Sequence, residues 1–389
     1  MAERKNIALL FSYNEAWIGG TYYIISLINA LNDLPDEEKP NIIVVCKTDD
    51  DFDVAKATHY PFLSMHAIDK LDMQLSISLI ERIVNKISYR LSGKIFLQKK
   101  MHFNHSKVID AVFPCPQMNV FADVKKSLFW IPDFQDYYFP EYFINNKDEK
   151  EWRYKLGYYI AYQKKKLVLS SQDTLNSFNK IYPANNAEVH VLPFAVSHPE
   201  FKHLDIETLK EKFAINFPYF FSPNQFWKHK NHIVIIEAVR ILKEKGYDKF
   251  QIIFSGKEID FRNPNYIIDL KNLVKKYQLE RQILFLGFID RKEQLQLMNH
   301  AVSIIQPSLF EGWSTVVEDA KALNQNIIAS DIAVHIEQLQ SYQNTLFSKS
   351  DANDLANKMI PFLTQSISRP QYNYKNDRLI FARKFMRSI

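Results

Sequence analysis

The sequence predicts an α/β protein of two domains, each a parallel β-sheet covered by helices, and three observations carry that prediction. At 389 residues the chain exceeds what one hydrophobic core usually serves, so two domains of roughly 200 residues each follow. Short β-branched or aromatic runs alternate with amphipathic stretches along its length, the pattern of parallel-sheet domains. Glycine is scarce, eight in all, yet Gly19, Gly20, Gly256, Gly287 and Gly312 each follow a predicted strand. Open α/β sheets bind ligands at that edge, where glycine lets the backbone turn tightly or approach a phosphate.

The first domain, residues 1–195, opens with a strand at 7–11, turns at Gly19 and Gly20, enters an apolar helix at 22–31 and returns in a strand at 42–46. Further strands are predicted at 109–113, 128–131 and 167–169. Residues 80–105, including Lys94, Lys99 and Lys100, interleave Lys and Arg with Ile, Leu, Tyr and Phe. Two readings stay open for them: a solvated basic helix face, or a face lying on an anionic membrane surface. Pro193 and Pro199 mark residues 191–199 as the linker. The second domain, residues 196–370, repeats the rhythm with strands at 219–222, 250–254, 283–286, 302–306 and 326–329. Its segments 271–277 and 316–323 space apolar residues three or four apart, as sheet-covering helices do. Residues 371–389 form a basic, aromatic tail expected to be helical.

Composition narrows the function. Hydrophobic residues at 47% and charged residues at 24% describe an ordinary globular chain, not a disordered or fibrous one. A net charge of +5, from 49 Lys and Arg against 44 Asp and Glu, is too mild to indicate nucleic acid and leaves anionic substrates or a membrane surface open. Cys46 and Cys115 lack metal-ligand spacing and read as buried thiols in a reducing compartment. The N-terminal apolar run is short for a signal peptide, and no later run approaches the roughly 20 residues of a spanning helix. The expectation is a cytoplasmic protein, peripheral on the inner face of a membrane if the basic segment binds lipid.

Two strand-to-helix junctions carry the chemistry. At 307–323 a strand ends in a loop with Glu311, Gly312 and Trp313, and a helix starts at Ser314 and Thr315 with Ser314 placed to cap it. Free amides and the positive end of the helix dipole there suit a diphosphate, and the carboxylates Glu311 and Asp319 suit sugar and ribose hydroxyls. An acidic capping pair on a surface helix is the plainer alternative, but apolar Trp313, Val316 and Val317 favour a buried site. At 220–232 another strand leads through Asn224, Gln225, Lys228 and Lys230 into a helix, with lysines placed to meet phosphate as point charges. Asp49 and Asp51 form an Asp-x-Asp, a pattern that elsewhere holds a metal on a diphosphate. After an early strand it reads as a solvated acidic loop, and no metal is predicted.

In these residues the second half resembles the nucleotide-sugar domain of retaining family-4 glycosyltransferases, the glycosyl transferases group 1, of bacterial surface-polysaccharide type. Phe310-Glu311-Gly312 through Asp319-Ala320 matches that family's frame of two acids with seven residues between them, with Asp319 where Glu is usual and Glu318 beside it. The family's Arg, followed five residues later by Lys, falls on Gln225 and Lys230. Gly19-Gly20 matches its glycine loop, and Asp133 through Pro140-Glu141 keeps its spacing. Pro132 stands where the family has a His, with Asp133 and Gln135 as replacements for its sugar contact.

The resemblance implies the GT-B fold, two Rossmann-like domains facing across a cleft with the C-terminal helix returning to the first. It implies transfer from a nucleotide-diphosphate sugar to a glycan or lipid-linked acceptor, without metal or other cofactor. Glu311, Lys230 and Asp133 are its implied catalytic residues. The implied donor contacts are Gly19, Gly20, Asn224, Gln225, Lys230, Gly256, Gly312, Trp313, Ser314, Thr315, Glu318 and Asp319. Two other functions fit the same features: a sugar-nucleotide epimerase of this fold, and a catalytically degenerate binding subunit, the latter suggested by Pro132, Gln225 and Asp319.

Overall fold

The computed structural model describes residues 3–14, 18–68, 72–74, 79–92, 100–103, 105–115, 120–121, 123–143, 147–260 and 262–389. It divides into two compact units. The first holds residues 1–134, 146–195 and 375–389; the second holds 135–145 and 196–374.

The first unit runs β1 (Asn6–Leu10), α1 (Ile18–Asn32), β2 (Asn41–Cys46), α2 (Asp49–Lys56), β3 (Leu63–Ala67), β4 (Asp72–Gln74), α3 (Leu79–Ser92), β5 (Lys100–His102), β6 (Ile109–Phe113), β7 (Val120–Phe121) and β8 (Val124–Trp130). After α4 (Gln135–Tyr138), which groups with the second unit, come α5 (Lys147–Tyr162), β9 (Lys166–Leu169), α6 (Gln172–Ile181) and β10 (Glu188–Val191). Seven strands form a parallel sheet in the order β10-β9-β8-β6-β1-β2-β3, while β4, β5 and β7 form a small separate sheet. Ile7, Ala8 and Leu9 of β1 are fully buried, as a central parallel strand covered on both faces must be.

Three features of this unit depart from the sequence reading. Gly19 and Gly20 lie in the first turn of α1, not in a turn before it; glycine costs little there because first-turn amides lack helical partners anyway. Asp49, Asp50 and Asp51 are no solvated loop but the first turn of α2. Thr48 caps that turn by accepting from the Asp51 amide, and the buried Asp51 carboxylate accepts from the Tyr13 amide at 2.8 Å. The strands β3 and β10 were hidden because they are sheet edges, half in solvent, with mixed polarity.

The second unit runs α7 (Ile206–Lys212), β11 (Tyr219–Pro223), α8 (His232–Glu244), β12 (Gln251–Ser255), α9 (Tyr266–Lys276), β13 (Ile283–Phe285), α10 (Arg291–His300), β14 (Ser303–Gln306), α11 (Thr315–Ala322), β15 (Ile327–Ser330), α12 (Ala333–Leu339), β16 (Thr345–Phe347) and α13 (Ala352–Thr364). Its six parallel strands stand in the order β13-β12-β11-β14-β15-β16. Successive strand residues feed opposite faces. Phe220, Ile252, Phe254, Ile305 and Ile328 pack against α8, α9 and α13, while Tyr219, Phe221, Ile253, Ile304 and Ile327 pack against α7, α10 and α11. The two-sided burial explains why these strands read as continuous apolar runs. Each fully buried Phe or Ile contributes roughly 1.5–3 kcal/mol.

The last helix, α14 (Tyr374–Ser388), belongs to the first unit from Lys375 onward. Phe381 and Phe385, one turn apart and fully buried, put their rings edge-on to Tyr23 (5.8 Å) and Phe113 (5.3 Å), and Arg378 pairs with Asp33 at 2.8 Å. Cys46 and Cys115 are buried free thiols, and burial pushes Cys46 up to about 11.

Candidate functional site

In the second sheet β11 and β14 are the neighbours at which strand order reverses. Their two following helices therefore diverge to opposite faces and leave a crevice at the strand ends, where α/β sheets hold ligands. The loops that line it are 224–231 and 307–314. Lys228–Lys230 form one 3-10 turn, ended by Asn231 in the left-handed conformation (φ 54°, ψ 41°). The Asn231 side-chain Nδ2 then donates to the carbonyls of Pro307 (3.2 Å) and Lys349 (2.9 Å), and the Leu309 backbone amide donates to the His229 carbonyl (2.8 Å). The two loops are thus sewn together.

Between them Lys230 meets Glu311. Glu311 Oε1 accepts from Lys230 Nζ at 2.5 Å, Ser308 Oγ at 2.6 Å and Gln306 Nε2 at 2.9 Å, and the two charged side chains are 15% and 9% exposed. Glu311 Oε2 has no partner among the described residues. Behind this pair Asn224 Nδ2 donates to Gln306 Oε1 (2.8 Å) and Ser222 Oγ (3.2 Å), which fixes the orientation of Gln306. Gly256 closes in on the same loop: a Cβ there would lie 2.2 Å from the Asn224 carbonyl oxygen, at a φ of +156°. Only glycine fits. Gln225 is half-buried and makes no side-chain hydrogen bond among the described residues.

Three histidines around the pair are fully buried and held neutral. Burial, then the charges of Lys230 and Arg262, holds His229 well below its ordinary range; burial brings His232 to about 3 and His335 to about 4. His335 Nδ1 sits 3.0 Å from the Ser330 carbonyl, which makes it the protonated nitrogen.

At the start of α11, Ser314 Oγ accepts from the Val317 amide (3.4 Å), and Gln338 brackets the cap by accepting from the Ser314 amide and donating to its carbonyl. Gly312 is buried and Trp313 and Thr315 are half-buried. Glu318 and Asp319 are not a surface capping pair: both side chains are 1% exposed. Glu318 is fully engaged, with Gln338 (2.8 Å) and Lys321 (3.2 Å) on Oε1 and the Tyr374 hydroxyl (2.6 Å) on Oε2. Asp319 Oδ1 accepts from Arg291 (2.5 Å) and His198 (2.9 Å), while Oδ2 is buried without a partner. Burial pushes the Asp319 carboxyl up, but Arg291 and His198 together overcome it and hold it below the usual carboxylate range.

The remaining expected residues lie elsewhere. Gly19 and Gly20 stand in the first unit, in the helix that follows β1, next to the β1/β6 point where that sheet reverses its order. Asp133, also in the first unit, pairs with Arg153 at 2.9 Å. Gln135 belongs to the second unit and accepts from Arg262 Nη1 at 2.8 Å. Arg262 was not legible in the sequence. Its guanidinium lies 4.6 Å over the Trp227 ring and donates to Asp260 at 3.0 Å. Gln306 and Ser308 carried a faint signal, as polar residues ending an apolar strand run. Among the described residues no group of three or more His, Cys, Asp or Glu is placed to hold a metal ion, and no helix is long and apolar enough to cross a membrane.

Residues 205–378 match the family described as glycosyl transferases group 1. Over 367 residues, 93% of each chain, the sequence is 22% identical to the O-antigen chain mannosyltransferase RfbU of Salmonella typhimurium. Among solved structures, Anabaena HepE in complex with UDP and glucose superposes with a TM-score of 0.59 at 13% identity, covering 99% of this chain and 95% of that one. WaaG, a glycosyltransferase involved in lipopolysaccharide biosynthesis, superposes at 0.56 and 12%, covering 98% and 94%. These likenesses fix the architecture of both units.

Proposed function

With residues 205–378 belonging to the glycosyl transferases group 1 and the chain therefore a glycosyltransferase of GT-B fold, we propose that it moves a sugar from a nucleoside-diphosphate donor to a glycan or lipid-linked acceptor. Transfer retains the anomeric configuration and serves lipopolysaccharide O-antigen or capsule synthesis. One observation carries the reading: Lys230 and Glu311 sit 2.5 Å apart where two sheet-derived loops meet at the strand-order reversal. The ammonium and the amides at the start of α11 stabilise charge on the departing diphosphate, a contribution that grows as the leaving group ionises. Glu311, anchored through Oε1, presents Oε2 to the donor-sugar hydroxyls. As the bond from the anomeric carbon to the phosphate oxygen breaks and the bond to the acceptor oxygen forms, the acceptor proton passes to a donor phosphate oxygen.

With Glu318 fully engaged and Asp319 Oδ2 buried, the ribose contact falls to backbone at the helix start. The enzyme works at the inner face of the membrane, which α3 contacts.

The test is a screen of nucleotide sugars for thermal protection, mannose donors first on the strength of the mannosyltransferase relative, followed by assay of nucleoside-diphosphate release with and without lipid-linked acceptor. Release that depends on acceptor is expected. Release without acceptor would point to an epimerase or hydrolase, and protection without turnover to a binding subunit. Glu311→Gln should cut turnover by at least about a hundredfold with the fold intact, the scale of losing one preorganised polar contact to the transition state. Unchanged turnover would remove Glu311 from the site.

A further inference from the structure

Residues 135–143 group with the second unit, where they lie as a strap beside the Glu311 loop. Three contacts hold it. Arg262, braced by Asp260 and stacked on Trp227, grips Gln135. Phe139 stacks on Tyr142 at 5.2 Å and meets Phe310 edge-on at 5.9 Å. Lys228, two residues from Lys230, lies 5.8 Å over the Tyr142 ring.

On this fixed strap two large aromatics are left in solvent. Tyr137 is 48% exposed and Tyr138 37%, their rings nearly perpendicular at 5.3 Å, and Tyr138 tilts against Phe310, the residue next to Glu311, at 5.6 Å. An exposed pair of rings with hydroxyls at the rim matches a pyranose: the sugar's apolar C–H face covers a ring while its hydroxyls exchange hydrogen bonds with the phenols. Asp136 and the exposed Glu141 on the same strap offset the charge of Lys228 beside them, so the rings and not a cationic cradle define the occupant, an uncharged pyranose. We infer that Tyr137 and Tyr138 form the platform for the terminal sugar of the acceptor glycan, a specificity element beside the transfer site. This rests on the transferase reading above.

The experiment measures binding of a panel of octyl hexopyranosides by saturation-transfer NMR, and of GDP and UDP by calorimetry, to the full chain and two double variants. Tyr137→Ala/Tyr138→Ala should weaken pyranoside binding about tenfold, the loss expected for two aromatic contacts, and leave the nucleoside diphosphate unchanged. Tyr137→Phe/Tyr138→Phe keeps the rings and should lose less. Equal pyranoside affinity in the alanine variant overturns the platform, as does a wild-type chain that takes no pyranoside at millimolar concentration. A parallel loss of nucleoside diphosphate overturns it too, by showing that the rings stack on the base. A wild-type chain that holds pyranosides but neither GDP nor UDP supports the platform and rejects the donor reading.

Discussion

At the scale of single residues the candidate site is a set of polar side chains that hold one another in place. Glu311 Oε1 is pinned by three donors, and Asn224 pins Gln306 in turn. Lys230 and Glu311 could be singled out as candidates because each follows a strand in a charged loop; their hydrogen-bond partners could not, since a lone Gln or Ser carries no spacing rule. Nor did the sequence separate Glu318 from Asp319, because adjacent helix positions differ in burial partners that only packing supplies. The buried histidines yield a prediction. His335 and His232 have folded values of about 4 and about 3 against 6.5 unfolded, and His229 is also depressed. As pH falls below 6.5 the unfolded chain takes up protons that the folded chain refuses, so the stability they contribute is complete above pH 6.5 and drains away toward the folded values. The slope is about 1.4 kcal/mol per pH unit per histidine. The depressed Asp319 acts only below 3.8, outside this window. Urea midpoints should therefore fall steeply from pH 6.5 to pH 4.5, and His335→Asn, which keeps a donor for the Ser330 carbonyl, should flatten the slope by one proton. An unaltered slope in that variant would show that His335 protonates freely in the folded state.

At the scale of elements, central strands were readable because burial on both faces makes them apolar runs, whereas the edges β3, β10 and β16 were not. The start of α1 was misplaced because glycine signals a turn and a helix start equally. The Tyr374 hydroxyl joins three elements: it donates to Glu318 of α11 at 2.6 Å and accepts from the Val196 amide at 2.7 Å, where the chain enters the second unit. Tyr374→Phe removes the donor to a buried carboxylate and the acceptor of a buried amide, so a loss of about 2–4 kcal/mol is expected in chemical denaturation; a change under about 0.5 kcal/mol would mean the junction relaxes around water. Helix α3 carries the other prediction. Leu79, Ile80, Ile83, Val84, Ile87 and Leu91 are all exposed on one face, spanning 140° of a wheel at 100° per residue, with Lys86 just outside one edge of the arc and Arg90 just inside it. Lys94 and Lys99 of the same basic stretch lie outside the described residues. A stripe of apolar side chains edged by cations fits an anionic lipid surface. The chain should float with vesicles containing phosphatidylglycerol, and Ile83→Glu/Ile87→Glu should abolish flotation without altering donor protection; flotation by that variant would reject α3 as the contact.

At the scale of the molecule, the second-half α/β rhythm could be read along the chain, because it is a local pattern. The grouping of 135–145 with the second unit is a fact of contacts between distant residues, such as Arg262 with Gln135, which no local pattern encodes. Each unit has its own sheet and core, so unfolding should resolve into two calorimetric transitions instead of one two-state event. Lys230, Glu311 and α11 all lie in the second unit, so a nucleoside diphosphate at a hundred times its Kd should add about 2.7 kcal/mol to that transition alone. Removal of residues 375–389 takes Phe381 and Phe385 out of the first unit's core and should lower the other transition, at about 3–5 kcal/mol per buried Phe lost. The two perturbations thus label the two peaks independently. If ligand and truncation moved one common peak, the units would unfold as a single cooperative body, and their separate cores would not be separate in energy.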